Sequence, residues 1–147
     1  IQTGQYSWLP VWASLPVCFL ISGFHLSNDM RDMKYDAAAG IKTLALILGG
    51  KISIKLFHAL FIGAFLSTVA LLLTEILPWT AVLPLLLWPQ ALKMFSDARN
   101  AFWRQPDKLK GLEAMAAGFH FKFGSLLVLG TTLHPWISRF IPAVWHP

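Results

Sequence analysis

Apolar residues fall in long uncharged blocks separated by short charged stretches, a pattern that predicts membrane-spanning helices rather than a half-buried soluble fold. Four spans are expected. Trp8 to Ser27 and Leu56 to Thr74 hold no Asp, Glu, Lys or Arg, and Ile76 to Leu92 holds none either. The third carries Pro78, Pro84 and Pro89, so kinks or breaks are expected where backbone hydrogen bonds are lost. Ala114 to Leu133 is interrupted only by His120 and Lys122.

Composition agrees with that solvent. Of 147 residues 56% are hydrophobic and 13% charged, and the mean hydropathy is +0.58. The formal charge of +5 brings nucleic acid to mind, but the basic residues lie in two loops between apolar segments, where membrane orientation accounts for them. Nucleic-acid binding is therefore excluded. The single cysteine, Cys18, excludes an internal disulfide or a cysteine metal site.

The loops also orient the chain. Arg31, Lys34, Lys42, Lys51 and Lys55 follow the first span, and Lys93, Arg99, Arg104, Lys108 and Lys110 precede the last; the turn from Glu75 to Thr80 has no Lys or Arg. An excess of Lys and Arg marks cytoplasmic loops, which puts both chain ends on the far side, with Trp8, Trp79, Trp136 and Trp145 near that interface. No repeat or linker divides the chain, so residues 1–147 read as one domain. The start at Ile1 carries no charged leader and reads as beginning partway through a longer whole.

Charge concentrates in "HLSNDMRDMKYDAAAGIKTLALILGG", His25 to Gly50. If the first helix continues past Ser27, then His25, Asp29, Asp32 and Asp36 follow the four-three-four spacing of one helix face, with Asn28 at its edge and a helix end near Gly40. Three carboxylates on one stripe need positive compensation. Arg31, Lys34 and Lys42 supply it locally if this is a solvated helix end. A magnesium site is the other reading, because this hard cation takes oxygen ligands and commonly bridges one or two carboxylates to substrate phosphates.

The string Asn28, Asp29, Arg31, Asp32, Asp36, then Gly40, Lys42, Thr43, Leu44, Ala45, Leu48 and Gly49 resembles the second aspartate-rich motif of the UbiA-like intramembrane aromatic prenyltransferases. Its Asn-x-x-Arg-Asp-x-x-x-Asp opening and Thr-Leu-Ala-x-x-Leu-Gly tail look most like the 1,4-dihydroxy-2-naphthoate branch of menaquinone or phylloquinone synthesis. "KYD" and "GIK" also suit the 4-hydroxybenzoate branch. The resemblance implies an all-α membrane bundle of four helices, matching the C-terminal half of a nine-helix enzyme in the inner membrane. It further implies Mg2+, a polyprenyl diphosphate and an aromatic acceptor as ligands. By position, Asp32 and Asp36 would contact the metal, Asn28 and Asp29 would support them, and Arg31 and Lys42 would clamp the leaving diphosphate. Tyr35 and Lys122 are candidate substrate contacts.

The first aspartate motif of that family is absent. Glu75, Asp97, Asp107 and Glu113 stand singly, and Lys93 with Asp97 has the spacing of an ordinary ion pair. The chain is then expected to be part of a longer enzyme, to work with a partner that supplies the other half, or to serve as a non-catalytic membrane subunit of a larger bioenergetic or photosynthetic complex. His25 is a further metal candidate or a histidine bonded across a helix interface, and the phenylalanines of the second and fourth spans either line a prenyl groove or pack.

Overall fold

The computed structural model describes Gly4 and residues 6–104 and 109–140; Asp107, Lys108 and Trp145, named above, lie outside the described residues. Among these residues the fold is entirely helical. Its elements are α1 (Leu9–Ala39), α2 (Leu44–Leu48), α3 (Gly50–Leu73), a 3-10 segment (Trp79–Leu87), α4 (Trp88–Arg104) and α5 (Leu109–Phe140). Three helices are long and apolar enough to cross a membrane: α1, α3 and, within α5, Gly111–Arg139.

The segment expected as a third span with kinks or breaks at its prolines is indeed irregular. Pro78 precedes nine residues of 3-10 helix containing Pro84, and the chain becomes α-helical only from Trp88. A proline inside a helix removes one donor and crowds the preceding turn, which explains why this stretch does not form one long α-helix.

Helix α1 runs unbroken from the apolar block through the charged stretch. Pro10 sits in its first turn, where a missing N–H costs nothing. It stops at Gly40, whose φ of 71° is left-handed. The amide of Ile41 donates to the Asp36 carbonyl at 2.9 Å and that of Gly40 to Ala37 at 3.3 Å, the double closure of a Schellman cap. The expected helix end is therefore the observed one.

Helix α1 packs against α3 and α5, and α5 also packs along the 3-10 segment. Between them lies a ladder of buried aromatic rings: Phe61 and Phe65 of α3 meet Phe119 and Phe123 of α5, with ring centroids 5.4 Å apart for both Phe61–Phe119 and Phe65–Phe123, and Phe57 of α3 packs on Phe61 at 4.8 Å. In lipid, where burial between helices gains little hydrophobic free energy, such interdigitation supplies the packing that holds helices together. These five phenylalanines are core, not groove lining. Trp8, Trp79 and Trp136 are exposed, and Trp79 approaches His134 of α5 at 6.4 Å, so the two helix ends bearing Trp79 and Trp136 lie together.

Candidate functional site

Continuity of α1 puts His25, Asp29, Asp32 and Asp36 on one stripe. The buried positions of this helix, Leu20, Gly23, Leu26, Ser27 and Met30, occupy the opposite side. The three aspartates are accordingly half-exposed and His25 is exposed. The acidic face turns away from the bundle core rather than into it.

Arg31 organises the cluster. Its Nε donates to Oδ1 of Asp32 at 2.8 Å and its Nη2 to Oδ2 at 2.6 Å, a two-pronged pair between sequence neighbours. Its Nη1 forms an ion pair with Glu113 of α5. Asn28, with its amide turned to present the NH2 group, donates to the same Glu113 carboxylate at 3.0 and 3.2 Å. Glu113 thus ties two α1 side chains to α5. It does not stand singly, as its isolated place in the sequence suggests, and no local spacing links it to Arg31.

Local neutralisation goes no further among the described residues. Asp29 and Asp36 make no ion pair there, Lys34 and Lys42 are exposed without carboxylate partners, and Lys93 does not pair with Asp97. A solvated helix end with a base for each acid therefore describes Asp32 alone. Tyr35 lies on the last turns of α1, not in a loop, and is exposed. Lys122 is exposed on α5, nine residues from Glu113, or about 13 Å along the helix axis. It is not brought to the Arg31 cluster. Among the described residues His25 has no hydrogen-bond partner across a helix interface; its ring lies beside that of Phe24, 5.5 Å between centroids.

No group of three His, Cys, Asp or Glu side chains converges as a metal cage among the described residues. What α1 offers is a pair of carboxylates, Asp32 and Asp36, one turn apart on the open stripe. Hard oxygen donors in that number fit magnesium, which takes one or two carboxylates when phosphate oxygens and water complete its shell. The donor set does not fit a softer metal that prefers sulfur and imidazole.

An open groove of about 630 Å3 follows the same α1/α5 seam, lined by Phe24 of α1 and by Ala117, His120, Phe121, Gly124 and Val128 of α5, among others. Phe24 is one turn before Asn28 and Ala117 one turn after Glu113, so the apolar groove continues from the charged cluster. Phe121 and Phe24, rather than the core ring ladder, are the phenylalanines that face open space.

A family model, the UbiA prenyltransferase family, matches residues 1–108. The chain is 35% identical over 83 residues to 1,4-dihydroxy-2-naphthoate octaprenyltransferase of Bacillus subtilis (strain 168), covering 56% of this chain and 27% of that protein. It is 30% identical over 128 residues to UbiA prenyltransferase domain-containing protein 1 of Homo sapiens, covering 86% and 37%. The same-named protein of Dictyostelium discoideum is 30% identical over 132 residues, covering 90% and 38%. The chain therefore spans between about a quarter and two fifths of the length of these relatives. No solved structure matches.

Proposed function

This chain belongs to the UbiA prenyltransferase family, and we propose that it supplies one wall of a magnesium-dependent site for transferring a polyprenyl group from its diphosphate to an aromatic acceptor. The acceptor would be 1,4-dihydroxy-2-naphthoate or a ring like it, in keeping with the activity for which the Bacillus subtilis relative is named; 4-hydroxybenzoate is the alternative. The observation that carries this reading is the half-exposed acidic stripe of α1 beside the Asn28–Arg31–Glu113 cluster, from which an apolar groove begins one turn away. Carboxylates gathered on one face repel one another, and a shared cation relieves that repulsion.

In this reading Asp32 and Asp36 hold Mg2+, which when bound neutralises the diphosphate and makes it a better leaving group. Asn28 and Asp29 support these ligands. Arg31 and Lys42 grip the outer phosphate oxygens, where negative charge grows as the allylic carbon–oxygen bond breaks. Tyr35, exposed on the last turns of α1, is the candidate contact for the acceptor ring. Lys122, about two and a half turns from Glu113 and so on the other side of α5, does not share this grip with Arg31 and would meet the substrate only from outside the seam. The groove takes the isoprenoid chain, and its apolar walls keep water from the allylic cation until a ring carbon bonds it and expels the proton or CO2 it replaces, restoring aromaticity.

The rest of the site, including the other aspartate motif, comes from a further part of the same protein or from a partner. The family's nine-helix architecture would place α1, α3, the 3-10 segment with α4, and α5 as its last four spans. The charged end of α1 faces the cytoplasm, following the Lys and Arg excess there.

A second reading has one observation in its favour: both oxygens of Asp32 are already taken by Arg31. A non-catalytic membrane subunit of a larger complex would keep such a pair as a structural tie. Replacing Asp32 and Asp36 by Asn in the full-length protein separates the two readings. Loss of magnesium-dependent prenyl transfer by about a hundredfold or more, with the folded protein retained, is expected from removing an electrostatic contact of this kind. Unchanged transfer would leave the scaffold reading.

A further inference from the structure

Asp32 presents a difficulty for the site just described. A carboxylate whose two oxygens accept hydrogen bonds from Arg31 at 2.8 and 2.6 Å has its best lone pairs occupied. To ligate a divalent cation it must release the guanidinium, and a positive group set loose beside an incoming cation would repel it. The structure provides a destination: the third nitrogen of Arg31 already pairs with Glu113 on a different helix, and Asn28 fixes the Glu113 carboxylate from a neighbouring position on α1.

We propose that Glu113 is a positioning residue that retains the Arg31 guanidinium on the α1/α5 seam when Asp32 turns to a divalent cation. The inference rests on the prenyl-transfer reading above. Arg31 has enough donors to serve two carboxylates at once, five N–H groups in a rigid fork. Held by Glu113, it remains next to the metal position and directs its freed N–H groups at the diphosphate oxygens. Without Glu113, Arg31 would have Asp32 as its sole carboxylate partner among the described residues, and the closed pair would compete with the cation. Asn28 contributes indirectly, because its amide donates to both Glu113 oxygens and keeps that carboxylate aimed at α1.

Glu113 then sets how much magnesium the site requires, a quantity that a merely structural tie between α1 and α5 would not set. The test uses the full-length protein in detergent, with inorganic pyrophosphate as the probe and calorimetric binding followed as Mg2+ is varied. Glu113→Gln is expected to raise the Mg2+ concentration for half-maximal pyrophosphate binding by about tenfold, the lower end of what loss of a partner behind a metal ligand costs. Excess Mg2+ should restore binding, and in turnover it should restore kcat. In an Arg31→Gln background, where nothing competes for Asp32, the Glu113→Gln change should no longer alter the magnesium requirement.

If Glu113→Gln does not assemble, Glu113→Asp carries the test. One methylene shorter and still charged, it should raise the requirement by about threefold, a partial form of the same loss. An unchanged magnesium requirement in whichever of these variants folds overturns the proposal while leaving prenyl transfer intact. Wild-type protein that binds no magnesium pyrophosphate overturns both this inference and the functional reading beneath it.

Discussion

Arg31 and Glu113, from α1 and from the start of α5, form an ion pair that joins the charged end of the first span to that of the last. Arg31 serves Asp32 at the same time, through a fork that only a planar guanidinium can make. Arg31→Lys keeps the charge and loses the fork. An ammonium cannot present two parallel donors to Asp32 while also reaching Glu113. The variant should unfold more easily by about 1 kcal/mol, the scale of a half-exposed ion pair, as read from thermal unfolding in detergent. Retention of full stability would mean that the α1/α5 tie is decorative.

Close approach of α5 to the 3-10 segment rests on one residue. A Cβ on Gly130 would lie 2.4 Å from the Thr80 carbonyl oxygen and 2.9 Å from the Ala81 Cα, both backbone atoms that cannot swing aside. Gly130→Ala should therefore destabilise by about 1–3 kcal/mol, as overpacking does. Gly118, on the same helix, has nothing within 4 Å of its Cβ position. Gly118→Ala should be neutral or stabilising by up to about 1 kcal/mol through helix propensity. Unfolding curves of the two variants side by side check the contrast, and equal effects would contradict it.

Orientation is open to a direct chemical test. With the native thiol removed by Cys18→Ser, a cysteine at Lys34 should react with a membrane-impermeant maleimide only from the cytoplasmic face of sealed vesicles. A cysteine at Trp79 should react only from the opposite face. Both parent residues are exposed, so reactivity reports sidedness rather than burial. Labelling of both positions from one side would refute the proposed topology, and an exchange of the two patterns would reverse it.

Much of the site was legible in residue order because it is local. The four-three-four spacing of His25, Asp29, Asp32 and Asp36, closed by Gly40, needs only a continuous helix, and helix continuity is governed by neighbours within a turn or so. The family motif is equally local, confined to Asn28 through Gly49. The prolines at 78, 84 and 89 announced a departure from regular helix, though not its form. A run of 3-10 helix packed on α5 depends on Gly130 leaving room for the Thr80 backbone, a condition set by a different part of the chain.

The sequence by itself determined the membrane solvent, the helical class, the end of α1 and the acidic stripe, because each follows from hydrophobic blocks or from spacings within a few residues. Only the tertiary structure decided that Asp32 is held by Arg31 while Asp29 and Asp36 are not paired among the described residues. It alone brought Glu113 to Arg31 and Asn28, and it assigned the aromatic ladder to the core while leaving Phe24 and Phe121 along the groove. The physical reason is that ion pairs and ring contacts form between helix faces, and which faces meet is fixed by how α1, α3 and α5 pack, a relation with no signature in the order of residues along any one of them.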